Sequence, residues 1–289
     1  MRPVDKPLPP KNAGRAKPDD RDLVASALQD TIGIYCSVCE LPVSEGANVQ
    51  SKTTGRPKGT PGLSAWGDLL LACNYCFAHR RRGVVAERDF LWADLDATFA
   101  LTAASPFVYE LEAVEIVQEG GKSERGDVAV VKANPSSPAR ERAQRTIDLY
   151  VLNTRYYDAQ ARRITYPEDV PEGYDDMRLQ YRTREWMRAR AVSELLQKTL
   201  QISTAPEIVF PFLRNTSLAA QASGFWSVWM TVFWQAFRDP ALLDGAFVAT
   251  DTKNGFVLPG FQGLEASAPS PRYRIFPGTA RERIQYPGA

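Results

Sequence analysis

Histidine is nearly missing from this chain: among 289 residues there is one, His79. A metal site built from several imidazoles is therefore excluded, and any histidine-based triad would have to use this residue. Cysteine is scarce too, at four residues. No apolar run approaches the roughly 18 residues of a membrane-spanning helix, so no membrane segment is expected. The opening Met1-Arg2-Pro3-Val4-Asp5-Lys6-Pro7 lacks the apolar stretch of a signal peptide. Net charge is almost nil, since 35 Lys and Arg face 34 Asp and Glu. Bulk charge thus points to no partner, and any nucleic-acid signal must come from local clusters. No internal repeat is visible. Apolar residues make up 44% of the chain, enough for a sizeable core in one large domain or two small ones.

All four cysteines fall in one stretch. Cys36-Ser37-Val38-Cys39 is followed by 33 residues and then by Cys73-Asn74-Tyr75-Cys76. Two such pairs can bring four thiolates onto one tetrahedral Zn²⁺. The alternatives are four unrelated buried thiols or two disulfides. A disulfide within Cys-x-x-Cys closes a strained small ring, and no feature suggests secretion. The spacing predicts a structural zinc ion held by Cys36, Cys39, Cys73 and Cys76, and a cytoplasmic protein.

Residues 1–18 carry five prolines and five Lys or Arg and read as an extended basic arm. Asp19 or Asp20 can cap a helix to about Ile32, with Leu23, Val24, Ala27 and Leu28 as its apolar stripe and Gly33 as its stop. Ile34-Tyr35 then leads into the first cysteine pair. Residues 44–64 form a polar Gly/Pro-rich loop with Lys52, Arg56 and Lys58, which are either solvated or phosphate-contacting. The apolar segment Ala65–Ala72 delivers the second pair. Beyond it, Arg80-Arg81-Arg82 with His79 and Arg88 is the densest basic cluster, again either a solvated face or a phosphate-neutralising one.

Farther on, Phe107–Gln118 alternates apolar and acidic residues and Asp127–Lys132 is a second strand, so the two predict a hairpin. Ser137-Pro138 starts a helix to about Leu152. After a Tyr/Pro-rich loop, Asp175 or Asp176 opens a long helix to about Gln201. Its polar side holds Arg178, Arg182, Arg184, Arg188 and Arg190, which could meet nucleic acid or pair with Glu185, Glu194 and solvent. Thr216–Arg238 reads as a helix dense in aromatics, either core or a partner surface. Residues 250–289 form a Gly/Pro-rich tail.

Ile34-Tyr35-Cys36-Ser37-Val38-Cys39-Glu40 and Trp66-Gly67-Asp68-Leu69-Leu70-Leu71-Ala72-Cys73-Asn74-Tyr75-Cys76 resemble the zinc-stabilised branch of the bacterial HNH endonuclease family. Weaker likenesses lie at Met1–Val4, Leu91–Thr98, Gly224–Phe233 and Phe276–Thr279. The resemblance implies a ββα unit that binds one catalytic divalent metal, with a histidine activating water against a phosphodiester. It also implies a place in phage defence beside an ATPase partner. The catalytic positions depart from the pattern. The Glu-His pair falls near Gln50 and Ser51, the asparagine position holds Asp68, Phe77 follows the last cysteine, and the distal position falls near Arg80. Gln and Ser have no useful basicity at neutral pH.

The expectation is an α+β protein: an arm (1–18), a zinc-clamped HNH-like ββα domain (19–100), a mainly helical region with one hairpin (101–249) and a tail (250–289). Nucleic acid, DNA above all, would be bound through Lys52, Arg56, Lys58, Arg80, Arg81 and Arg82, with a degenerate nuclease centre. A second reading keeps an enzyme whose Asp68 and His79, with Asp94 or Asp96, hold Mg²⁺ or Mn²⁺. A third is a structural subunit whose zinc is a staple and whose aromatic helix is the partner surface.

Overall fold

Val24, Ala27, Leu28 and Ile32 line one side of a helix over Arg21–Ile32 (α1), and all four are buried. Spacings of three and four put them on a single stripe. Gly33, at φ 85°, ends the helix, its N–H reaching Gln29 O at 2.9 Å. In the computed structural model, the described residues are 1–4, 6, 21–43, 48–55, 63–80, 84–117, 121–166, 176–248, 279 and 283–286.

The protein is α+β. Strands Asn48–Ser51 (β1) and Leu69–Ala72 (β2) pair antiparallel, Ser51 opposite Leu69 and Asn48 opposite Ala72. All four β2 residues are buried. Helix Asn74–His79 (α2) follows at once. A second sheet starts with Phe107–Val117 (β3) and Ser123–Ala133 (β4), antiparallel from Phe107↔Ala133 to Val117↔Ser123. Helix Arg140–Tyr150 (α3) precedes two short strands, Tyr157–Asp158 (β5) and Arg163–Thr165 (β6). The strand order is β4-β3-β6-β5, with β6 parallel to β3. Then come Arg178–Ile202 (α4), Pro206–Ser223 (α5), Trp226–Phe237 (α6) and a short turn of helix, Pro240–Leu243 (α7). Helix α4 packs on β4 and α6.

One apolar core holds Leu28, Leu71, Trp92 and Phe99 from the first hundred residues together with Tyr150, Leu196, Trp229 and Phe233 from the rest. Both halves therefore contribute to a single buried interior. The predicted hairpin is present, and the arginine-rich helix matches α4 closely.

Three expectations are corrected. The first residues are not a free arm: Met1, Arg2 and Val4 are buried. Arg2 donates to Ile32 O at 2.6 Å and Thr279 Oγ1 at 2.9 Å, and Val4 N reaches Ala93 O at 2.8 Å. Residues 7–18 lie outside the described residues, as do 250–278 of the predicted tail. The helix expected over Thr216–Arg238 is two helices, α5 and α6, broken at Gly224 and Phe225, both at positive φ. The break has a steric cause. A Cβ on Gly224 would lie 2.4 Å from Glu40 O, and Phe225 N donates to that same oxygen at 3.1 Å. The first cysteine loop thus inserts its backbone where a continuous helix would run. Finally, α6 is no partner surface: Trp226, Trp229, Met230, Phe233 and Trp234 are all buried within the chain.

Candidate metal centre

Each cysteine pair sits on a short backbone turn. In the first, Cys36 N reaches Leu41 O at 2.9 Å and Glu40 N reaches Cys36 O at 3.0 Å, with Glu40 at φ 67°. Ser37 N donates to Leu71 O at 2.8 Å, fastening the turn to β2. In the second, Cys73 caps α2, its Sγ accepting from Cys76 N at 3.4 Å.

The two turns meet. All four Sγ atoms lie within 4.8 Å of one another and all four residues are buried. A tetrahedral site with metal–sulfur bonds of about 2.3 Å sets neighbouring sulfurs about 3.8 Å apart, whereas a disulfide needs about 2.05 Å. Cys39 Sγ and Cys73 Sγ are 3.5 Å apart and the cysteines are free. The disulfide alternative is thereby excluded, and the residues fit a single metal ion.

Electrostatics support this. Burial pushes the Cys39 and Cys76 thiols well up, and hydrogen bonding with Cys36 does the same to Cys73. At Cys36, burial also raises the value, but hydrogen bonds from the other three sulfurs outweigh it and hold the thiol well below its usual range.

A cationic side chain that sequence reading placed on a surface is instead part of this centre. Arg178, on α4, is fully buried, and its Nη1 lies 3.2 Å from Cys76 Sγ. Its other donors reach Asp176 and Val151 O, at 2.8 Å (Nε to Asp176 Oδ1) and 2.9 Å (Nη2 to Val151 O). Asp176 also faces His79 Nε2 at 3.2 Å. Burial opposes the Arg178 charge, yet Cys76 and Asp176 outweigh burial and hold its pKa well above the ordinary value. Burial likewise raises Asp176, but Arg178 and His79 prevail and hold it well below the usual carboxylate range. Nothing local in the sequence signals this partner, which is 102 residues from Cys76.

The remaining predicted site residues do not form a second centre. Asp68 accepts from Ser51 Oγ and, at 3.0 Å, from Thr53 N, closing the turn after β1. His79 engages Asp176, not Asp68. Asp94 is held by Lys6 at 2.9 Å and Lys52 at 3.3 Å, and Asp96 by Arg142 at 3.0 Å. Among the described residues, the four cysteines alone form a group of three or more His, Cys, Asp or Glu poised for an ion.

Two of the expected phosphate contacts are corrected as well. Lys52 is fully buried between Glu87, at 2.9 Å, and Asp94. Arg80 is buried too, its Nη2 donating to Lys52 O at 3.2 Å and Thr53 O at 3.1 Å. Arg56, Lys58, Arg81 and Arg82 lie outside the described residues. On α4, Arg182 is buried with Arg178, whereas Arg184 and Arg188 face Glu185, and Arg190 pairs with Glu194.

No protein-family model, curated protein or solved structure matches this chain. No helix among the described residues is long and apolar enough to cross a membrane.

Proposed function

We propose that this chain is a zinc-clamped nucleic-acid-binding protein of HNH type, with a buried salt-bridge network where a nuclease centre would be. One observation carries the reading. Strand β1, strand β2 and helix α2 follow one another in the order of a ββα unit, and the two cysteine pairs close on each other beside it. Zinc is the ion of choice for four thiolates in a tetrahedral, closed and redox-silent site. Cys36, Cys39, Cys73 and Cys76 would hold it. Bound there, the ion would serve as a folding clamp, since no ligand position is left for water.

The loss of hydrolysis follows from the residues at the end of β1. Gln50 is fully buried, its Oε1 accepting from Tyr150 Oη at 3.3 Å. Ser51 is buried, its Oγ engaged by Asp68 and by Thr54 N at 3.0 Å. Neither can take a proton from water. Lacking a general base costs about 10²–10⁴-fold, and no second group of ligands stands ready for a catalytic cation among the described residues. The basic residues left for phosphate contact are Arg56, Lys58, Arg81 and Arg82, which adjoin this unit in sequence. Such contacts give affinity without base reading. DNA is the expected ligand, and an ATPase subunit a fitting protein partner.

A plasmid-cleavage assay with Mg²⁺ or Mn²⁺, run beside a binding assay on the same DNA and with His79→Ala as control, tests the reading. Binding without cleavage is expected. Cleavage that His79→Ala abolishes would restore the enzyme reading, and absence of both activities would remove nucleic acid as the ligand. Metal content is checked separately: one zinc per chain is expected, with a lower melting temperature after chelation, because binding and folding are linked.

A further inference from the structure

A second buried arginine lies one helical turn from Arg178 on α4. Arg182 is 2% exposed. Its guanidinium donates to Leu152 O at 2.8 Å, Asn153 Oδ1 at 3.1 Å and Ala129 O at 3.4 Å. All three acceptors are neutral. No carboxylate pairs with it among the described residues, although Asp176 pairs with Arg178. Burying a guanidinium without a countercharge is costly. Arg178, four residues earlier, already touches the Cys76 sulfur at 3.2 Å. Burial pulls the Arg182 pKa down, while Tyr109 and Cys39 act to raise it.

The charges of the metal centre complete this arrangement. Four thiolates and one divalent ion carry two negative charges in a site shielded from water. Asp176 pairs with one guanidinium of the pair, and among the described residues the other has neutral hydrogen-bond acceptors and no carboxylate of its own.

We infer that Arg178 and Arg182 form the counter-ion of a dianionic metal–tetrathiolate centre, and that they govern how tightly the ion is retained. The inference rests on the metal reading of the four cysteines and is independent of nucleic-acid binding. Arg178 acts directly through its N–H···S contact with Cys76. Arg182 acts through charge, with its hydrogen bonds to carbonyl groups fixing its place. Both are positioning residues: neither is a ligand. Because both residues belong to α4, retention of the ion and docking of that helix support each other.

The test uses the full chain purified with its metal. Zinc release to a chromogenic chelator is followed for wild type, Arg178→Met, Arg182→Met and the exposed control Arg190→Met. Loss of a supporting residue around a metal typically costs 10- to 100-fold in affinity. A weakening of this size is expected for the first two variants and none for the control. In the Co²⁺-loaded protein, Arg178→Met should also shift the thiolate-to-cobalt charge-transfer band, because one sulfur loses its N–H donor. Should the Met variants fail to fold, Arg182→Lys and Arg182→Gln decide. The Lys variant keeps the charge and should retain zinc nearly as wild type does, while the Gln variant should release it at least tenfold faster. Folded variants that hold zinc as tightly as wild type would overturn the inference and leave the metal centre standing. A wild-type chain that purifies without metal would overturn both.

Discussion

The carboxylate of Glu40 grips the start of α6 through Ser227, accepting from its backbone N–H at 2.8 Å and its hydroxyl at 2.5 Å. The two residues are 187 apart in sequence. Glu40 directly follows the second cysteine, so the first cysteine turn itself anchors the aromatic helix. A carboxylate at a helix N-terminus also meets the favourable end of the helix dipole. Hydrogen bonds to a charged group contribute about 1.5–3 kcal/mol each, and a donor left buried without a partner costs a similar amount. Glu40→Ala should therefore lower stability by about 3 kcal/mol. Urea unfolding of the metal-loaded protein measures this; a change under about 0.5 kcal/mol, the scale of ordinary surface substitutions, would refute the anchor.

Gly224 should tolerate no side chain. It sits at φ 74° and ψ −152°, a region open essentially to glycine alone. A Cβ there would lie 2.4 Å from Glu40 O and 2.7 Å from Pro42 Cδ. The backbone strain alone costs about 1–3 kcal/mol, and the clash adds to it. Gly224→Ala should destabilise the protein by more than that and loosen the first cysteine turn. Thermal unfolding and zinc retention, measured together, should both fall.

Lys52 separates a structural from a nucleic-acid role. Its ammonium lies buried between Glu87 and Asp94. Removing one partner of a buried pair typically costs about 3–5 kcal/mol. Lys6 still holds Asp94, so Lys52→Met should fall near the lower figure. Under the proposed nucleic-acid role, DNA affinity of the folded variant should be unchanged, because the Lys52 ammonium is buried. Under the same proposed role, Arg81→Ala with Arg82→Ala should weaken binding and reduce its salt dependence by about 0.9 per lost phosphate contact.

The Asp176 carboxylate sets an acid limit. Its pKa is held well below the usual carboxylate range by Arg178 and His79 against the pull of burial. A group depressed in the folded state stabilises above its unfolded pKa, about 3.9 for aspartate, and loses that contribution as pH falls toward the folded value. Wild type should therefore lose stability below about pH 4 more steeply than Asp176→Asn. Paired urea titrations from pH 6 to pH 3 check this. Parallel curves for the two proteins would refute it.

Much of the frame was legible in the sequence. The cysteine spacing located the centre, because two Cys-x-x-Cys turns have few other uses at that separation. Period-two alternation located β3, and a sustained helical stripe located α4. What escaped was set by distant contacts. Strands β5 and β6 have two and three residues, too few for a periodic signal. The break between α5 and α6 depends on the backbone oxygen of Glu40, which nothing near Gly224 announces. Lys52 and Arg80 read as surface charges because their immediate neighbours are polar. The carboxylates that bury Lys52 come from Glu87 and Asp94, and Asp94 is 42 residues away. Arg178 and Arg182 failed as surface residues for the same reason: helical periodicity assigns a face, but it does not identify what that face meets.

The contact between Cys76 and Arg178 has a consequence for synthesis. All four cysteines have been synthesised by residue 76, while the guanidinium that closes over Cys76 is 102 residues behind. At about 5–20 residues per second, that gap lasts on the order of 5 to 20 seconds. During it all four cysteines are present on one nascent segment, and neither α4 nor α6 yet exists to cover them. An ion taken up at that stage would enter before Arg178 and α4 close over the sulfurs.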